Sequence, residues 1–502
     1  MSRVLAAIGR HAESRPDHIA LAGSDHSLTY SMLAVEVQDV ADILRQRDVH
    51  VAGIFMDNRP AWAVSDLACL QAQIPVVPMP LFFTPLQTAH LLTDAGVDTI
   101  ITDQPDIVRA LLSGAGTVVL QEIQVNIAGQ PVDLFRLSVG AQSNIPAGVA
   151  KVTYTSGTTG DPKGVCLTGK SMERVAASLQ VASEADSGER HLSLLPLATL
   201  LENIGGIYVP MLAGATALLP GLAAVGMRGA AQLDARQLTA ALATYSASSC
   251  IMIPQMLQAC VMCLEAGMPR PSAMRYMAVG GAPVSRHILE RAATMGLPVF
   301  EGYGLSEAAS VTAVNTVSAH RAGTVGKPLP HVRMKFAADG EIMVSGSLFS
   351  GYLGDDTAGP GAEDFLPTGD IGHLDDDGFL HITGRKKHIF ITAFGRNVSP
   401  EWVESELTVE GTIVQAVVFG EARPFNVAVL VPRPGVDAGQ VKVAVERANS
   451  GLPDYAQLHS WLLADEPFTV GNRQLTGTGR PRRNMIEQVY GKRMAKIYAQ
   501  EA

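Results

Sequence analysis

Tyr154-Thr-Ser-Gly-Thr-Thr-Gly-Asp-Pro-Lys-Gly-Val165 is the stretch whose reading decides the fold. It is dense in Gly, Ser and Thr and carries one cation, Lys163. The approach, Lys151-Val-Thr-Tyr154, reads as a strand, and the exit, Gly164-Val-Cys-Leu-Thr168, reads as another. Gly157, Gly160 and Gly164 permit backbone torsions that other residues avoid. Backbone N–H groups and the hydroxyls of Thr155, Ser156, Thr158 and Thr159 can therefore converge on an anion, with Lys163 adding charge. The stretch is not the Walker phosphate loop, in which Gly-Lys precedes Ser or Thr and opens a helix. Here Gly164 follows the lysine and a strand follows the loop. By composition alone a solvated Gly/Ser/Thr hairpin is the favoured reading, and it is the order of the residues that changes this.

Outward from this loop the chain alternates helical and strand patterns. Leu33, Val37, Val40, Ala41 and Leu44 have helical spacing and lead to a strand at 51–55. Helices at 61–72 and 85–95 are each followed by a strand, at 74–78 and 99–102. Such units imply a largely parallel, wound sheet. Two Gly-rich strand ends follow, Met277-Ala-Val-Gly-Gly-Ala-Pro283 and Val299-Phe-Glu-Gly-Tyr-Gly-Leu-Ser-Glu307. Ligands in open α/β sheets gather at such carboxyl ends. From about residue 321 the pattern shifts to short strands and turns, and a further small α/β unit begins near Gly384.

Composition narrows the function classes. The chain has 502 residues, 47% hydrophobic and 17% charged, which fits a folded enzyme of more than one core-forming unit. A net charge of −10 argues against a nucleic-acid-binding surface. Cys69, Cys166, Cys250, Cys260 and Cys263 sit mostly among apolar residues. Cys260 and Cys263 lack a second ligand pair and read as buried helical thiols, reduced in the cytoplasm. The N-terminal apolar run is too short for a signal peptide, and no stretch has the length of an integral membrane segment.

The order of residues in the loop resembles the phosphate-loop signature of the adenylate-forming superfamily: acyl-CoA synthetases, luciferases and adenylation domains of peptide synthetases. Glu301-Gly-Tyr-Gly-Leu-Ser-Glu307 resembles that superfamily's adenine and metal motif, with Ser306 where Thr is usual. The resemblance implies that Tyr303 stacks on adenine and that Ser306 donates to a phosphate. It also implies that Glu301, Gly302, Gly304, Gly281 and Ala282 border the nucleotide and that Glu307 holds Mg2+, whose ligands are oxygens. Phe365-Leu-Pro-Thr-Gly-Asp370 implies a ribose-holding Asp370. Ile382-Thr-Gly-Arg-Lys-Lys387 implies a ribose- and phosphate-contacting Arg385 and a domain hinge at Lys387. Gly395-Arg-Asn-Val-Ser-Pro-Glu401 is similar to the loop serving the thioester step. Read without the resemblance, Asp370 is a turn residue and Arg385-Lys-Lys387 a solvated basic turn.

Leu194-Leu-Pro-Leu-Ala-Thr-Leu-Leu-Glu-Asn203 resembles the acyl-site segment of medium- and long-chain fatty acyl-CoA synthetases, with Thr199 where their version has His. Leu200, Glu202, Asn203, Val279 and Gly280 are expected at the same site. The Asp that holds an α-amino group in amino-acid-activating members has no counterpart here. Gln474-Leu-Thr-Gly-Thr-Gly-Arg-Pro-Arg-Arg483 matches a motif whose catalytic lysine is replaced by Arg480. Lys163, Glu307 and Arg480 are thus the expected catalytic groups.

The resemblance spans nearly the whole chain. It implies an α/β fold with a large N-terminal domain, residues 1–383, built of wound β-sheets with flanking helices and a small β-barrel-like part. A small mobile C-terminal α+β domain, residues 384–502, completes it. The implied reaction activates a carboxylic acid with ATP and Mg2+ to acyl-AMP. Transfer follows to CoA, or to the phosphopantetheine of an acyl carrier protein. A rival reading is a nucleotide-binding relative without turnover; pyrophosphate release from ATP and an acid separates the two.

Overall fold

The computed structural model describes residues 2–138, 145–155, 162–228, 232–355, 359–361, 363–476 and 479–500. Two large sheets dominate. The first has nine strands, of which Ile19–Ala22, Thr216–Leu218, Arg190–Leu192, Ser249–Met252, Tyr276–Val279 and Val299–Leu305 run parallel in that spatial order. Antiparallel strands close both edges. The second has seven strands, with Thr99–Thr102, Ala52–Phe55, Val76–Pro78 and Val149–Thr155 parallel at its centre. Lys163–Thr168 turns back antiparallel beside Val149–Thr155, so the Gly/Ser/Thr stretch connects paired strands.

The helix Pro60–Ala72 follows strand Ala52–Phe55, and its residues 60–69 are all buried. An apolar surface on every side fits a helix enclosed on every side, and Trp62 is fully buried in the main core with residues of both large sheets. In the nine-stranded sheet, Arg190–Leu192 pairs with Thr216–Leu218 on one side and Ser249–Met252 on the other. The winding direction therefore reverses at Arg190–Leu192, and the crevice beyond its carboxyl end is where such sheets bind ligands.

The barrel-like part takes the form of a four-stranded antiparallel meander, Arg333–Phe336, Glu341–Ser345, Leu366–Leu374 and Leu380–Arg385. After it comes a three-stranded sheet of Ile413–Phe419, Asn426–Pro432 and Leu458–Leu463. Side chains alternate across its strands. Val418, Ala428 and Leu430 pack with helices Pro400–Thr408 and Ala438–Ser450. Val417, Val427, Val429 and Val431 pack on helix Arg483–Gln500 through Ile486, Tyr490, Met494 and Tyr498, one helical face at four-residue spacing. This unit rests on the first: Gln258 donates to the Thr408 and Val409 carbonyls at 2.6 and 2.8 Å, and Ser285 to Glu406 at 3.0 Å.

Cys260 and Cys263 lie buried on helix Pro254–Glu265, and all five cysteines are free. No helix among the described residues is long and apolar enough to cross a membrane.

Candidate active site

Ser156, Gly157, Thr158, Thr159 and Gly160 lie outside the described residues. The strands on either side of them, Val149–Thr155 and Lys163–Thr168, pair antiparallel. Thr155 faces Lys163 in the last register pair. The segment 349–353 pairs along the far edge of Lys163–Thr168, through Ser350 N–H to Cys166 O at 2.8 Å and Leu353 N–H to Gly164 O at 2.8 Å. That pairing delivers Tyr352, which the sequence reading missed. Its ring centroid lies 5.3 Å from the Lys163 ammonium, and its hydroxyl donates to Glu307 Oε1 at 2.7 Å. Tyr352 thus joins the expected phosphate-binding cation to the expected metal-binding carboxylate. The only local signal was an aromatic after Gly351.

No group of three or more His, Cys, Asp or Glu side chains among the described residues could hold a metal alone. Glu307 is a single hard oxygen donor. It fits a magnesium ion whose remaining ligands are phosphate oxygens and water.

A second cluster forms where strand Val299–Leu305 meets the meander. Tyr303 donates to Asp370 Oδ2 at 2.6 Å, and Arg385 Nε lies 2.8 Å from Oδ1. Burial raises the Asp370 carboxyl above its usual range, opposed by Arg385, the Tyr303 hydroxyl and, at longer range, Arg480. An anionic oxygen pair with an aromatic ring beside it suits a ribose and its base. Ser306 follows in a short 3-10 turn with Glu307. Gly280 and Gly302 meet closely: a Cβ on Gly280 would lie 3.2 Å from the Gly302 carbonyl. Gly281 has φ +84°, a left-handed conformation that favours glycine. Gly304 is similarly constrained, since a Cβ there would overlap the Ser310 carbonyl.

Glu301 is placed differently from the other members of its motif. Its carboxylate is buried and takes the Gly323 N–H at 2.9 Å, an internal contact of the fold. Burial pushes its pKa up to about 7 against that hydrogen bond. The unfolded chain then releases a proton near pH ~4.5 that the folded chain holds until about 7. Stability from this group is fully present below the lower value and is lost as pH rises through the upper one. Relative to Glu301→Gln, the protein is expected to lose up to about 3 kcal/mol over that window. Denaturation midpoints of both proteins at a series of pH values measure it; a constant difference refutes the assignment.

Arg480 reaches this cluster from the C-terminal unit. Leu475 and Pro481 form an antiparallel bridge, and Thr476 N–H donates to Arg480 O at 2.8 Å. From there the guanidinium Nη2 donates to the Gly281 carbonyl at 2.9 Å. Its charge is felt at Asp370 and at Arg385. Lys387 lies exposed in the turn after strand Leu380–Arg385, while its neighbour Lys386 is tied to Asp339 and Glu341 at 2.6 and 2.7 Å. Gly395, at φ +71°, turns an exposed hairpin tip between Phe390–Ile391 and Asn397–Val398.

The expected acyl segment follows strand Arg190–Leu192 at the reversal point of the sheet. Thr199 precedes the short helix Leu200–Asn203, which runs into a π-helical turn, Ile204–Tyr208. The structure turns Glu202 and Asn203 into the fold rather than toward an acyl group. Glu202 meets His191 Nε2 at 3.2 Å and the Leu195 N–H at 3.4 Å, and His191 Nδ1 meets Ser249 Oγ at 2.9 Å. Asn203 accepts from Lys151 and donates to Asp66, which also takes the Tyr208 hydroxyl. Val279 ends strand Tyr276–Val279, and the Gly280 N–H is held by Met252 O at 3.2 Å. Gly205 packs directly on Ile251 of the same strand as Met252. The expected acyl segment therefore abuts the strand ends that lead to Gly281 and Ala282, where Arg480 also reaches.

A family described as AMP-binding enzyme matches residues 8–353, and one described as AMP-binding enzyme C-terminal domain matches 387–502. The chain is 27% identical to a long-chain-fatty-acid–CoA ligase of Mycobacterium bovis, over 89% of this chain and 88% of that one. It is 26% identical to 2-succinylbenzoate–CoA ligase of Bacillus licheniformis, over 82% of this chain and 85% of that one. Its fold matches the crystal structure of an anthranilate CoA ligase, AuaEII, in complex with anthranoyl-AMP. That match has a TM-score of 0.80 at 17% identity and covers 97% of each chain.

Proposed function

The chain belongs to the AMP-binding enzyme family as an adenylate-forming acid–thiol ligase using ATP, Mg2+ and CoA, and we propose that its acid is an aliphatic one of medium to long chain. The observation that carries the chain-length reading is the state of the acyl segment. Its polar side chains Glu202 and Asn203 are fully buried on internal partners, while Leu194, Leu195, Leu197, Leu200, Ile204 and Ile207 supply buried apolar surface around them. A polar or α-amino group on the acid finds no free partner among these described side chains.

In the first half-reaction a carboxylate oxygen attacks the α-phosphorus and the bond to pyrophosphate breaks. Lys163 and Glu307, joined through Tyr352, serve the phosphate end. Tyr303, Asp370 and Arg385 fix the nucleoside. Arg480 sits between, where negative charge concentrates. Positioning and charge stabilisation supply the catalysis. In the second, a thiol attacks the acyl carbonyl and AMP leaves. We assign residues 1–383 and 384–502 as the units that reorient between the steps, about the exposed Lys387, bringing the Gly395 tip to the thiol. Pantetheine on a carrier protein is an alternative acceptor for the same step, and the free thiols are consistent with a cytoplasmic setting.

Each buried methylene contributes roughly 0.8 kcal/mol, so kcat/KM is expected to rise about fourfold per carbon until the site is filled. A panel from acetate to palmitate, with aryl acids alongside, is assayed for AMP and thioester with CoA and with a carrier protein. A flat response, or preference for an aryl acid, overturns the aliphatic reading.

A further inference from the structure

We propose that a buried ion pair, Lys151 with Asp66, staples both ends of the π turn Ile204–Tyr208 and thereby positions the acyl site; this rests on the reading that residues 194–206 line that site. Lys151 lies on strand Val149–Thr155, just ahead of the phosphate loop, and is 1% exposed. Asp66 lies on the enclosed helix Pro60–Ala72 and is 1% exposed. Their charged atoms are 2.7 Å apart.

A buried charge is costly unless it is paired and hydrogen-bonded. Here the Lys151 ammonium forms an ion pair with Asp66 Oδ1 and donates hydrogen bonds to Asn203 Oδ1 and to the Tyr208 hydroxyl, the last at 3.3 Å. The other Asp66 oxygen accepts from the Asn203 amide at 3.2 Å and from the Tyr208 hydroxyl at 3.0 Å. Asn203 and Tyr208 each give one hydrogen bond and take one, which their amide and phenol groups allow. The ring of contacts is closed.

Its members bracket one structural feature. Asn203 is the residue before the π turn, and Tyr208 is the turn's last residue. A π turn carries an extra residue relative to an α-helix and is rarely stable unaided. Between the two stapled ends stand Gly205 and Gly206, both packed too closely for a side chain. A Cβ on Gly205 would meet Ile251 at 2.4 Å, and one on Gly206 would meet Glu202 at 2.6 Å. The staple holds this bare backbone against strand Ser249–Met252, beside Gly280 and Gly281. Because Lys151 also belongs to the phosphate-loop strand, one side chain sets the distance between acid and phosphate sites. A hydrophobic core would supply stability here at least as well, but it would not fix two polar anchors at the two ends of the turn.

The test uses the full chain and the variants Lys151→Met, Tyr208→Phe and the double variant Lys151→Met/Asp66→Leu. Each is assayed for kcat and KM across the acid series, and separately for the KM of ATP. Lys151→Met is expected to raise the acid KM by about tenfold or more and to flatten the chain-length slope, with the ATP KM changed by less than about twofold. Tyr208→Phe, which keeps the ion pair, is expected to give an intermediate slope. The double variant removes both charges and is expected to recover the thermal stability that Lys151→Met loses, without recovering the slope. If Lys151→Met does not fold, the double variant and Tyr208→Phe carry the comparison. A steep wild-type slope that persists in the variants, or recovery of the slope with stability in the double variant, overturns the staple alone. A flat wild-type slope removes the aliphatic reading and the staple with it.

Discussion

Lys163→Ala and Glu307→Ala are each expected to slow acyl-AMP formation by about two to three orders of magnitude while leaving the protein folded. The expectation comes from where the two side chains stand. Lys163 is exposed at the start of its strand, and its ammonium lies over the Tyr352 ring rather than in an ion pair among the described residues. Glu307 is partly exposed and its described side-chain partner is the Tyr352 hydroxyl. Neither group is needed to satisfy a buried opposite charge, so removing it leaves no uncompensated ion in the core. Both converge on the space beside Tyr352, where a triphosphate with magnesium would place its charge. Preorganised charges aimed at such a centre are worth roughly 3–4 kcal/mol each. Pyrophosphate release at saturating ATP and magnesium measures the loss, with circular dichroism and melting as folding controls. Near-normal release in either variant refutes that residue's assignment. Tyr352→Phe keeps the ring and loses the link to Glu307, and a smaller loss of about tenfold is expected from it.

The parts of this arrangement that could be read from sequence share a property: their signal is local. The alternation of helix and strand up to residue 102 follows from apolar spacing, and the elements fall where that spacing places them. The strands flanking the Gly/Ser/Thr stretch were legible for the same reason, and Asp370, Arg385 and Arg480 were legible because each sits in a short ordered motif. What escaped was set by distant pairing. Tyr352 reaches Lys163 only because residues 349–353 add to the edge of a strand nearly two hundred positions earlier. Lys151 read as a charge in a strand; nothing nearby shows that Asp66, on another element, neutralises it. The π turn has no periodicity that separates it from an ordinary buried helix. Glu202 and Glu301 were legible as carboxylates in motifs, but their orientation depends on His191 and Gly323, which the sequence does not place beside them.

Arg480→Ala is expected to slow the first half-reaction by roughly a hundredfold, or about 3 kcal/mol, and to leave the second nearly unchanged. Arg480 lies beside Pro481, which bridges to Leu475 in the C-terminal unit, and its guanidinium is held at Gly281 O by a 2.9 Å bond. Its field reaches Asp370, which shares that field with Arg385. In the proposed reaction a guanidinium there would face the negative charge shared by the acid's carboxylate and the α-phosphate. Its fork suits both oxyanions, whereas an ammonium acts as a compact point charge. The contact that positions Arg480 crosses between the two units. The reorientation proposed for the thiol step would withdraw it. Single-turnover measurement of each half-reaction, the second started from preformed acyl-AMP, separates the two effects. Arg480→Lys keeps the charge and is expected to retain or improve the first step. Arg480→Gln keeps a polar side chain but carries no charge, so it is expected to behave like the alanine variant if charge on the transition state is what matters. Equal loss in both half-reactions would make Arg480 a docking contact, and no loss in the first would leave it a solvated arginine on a C-terminal turn.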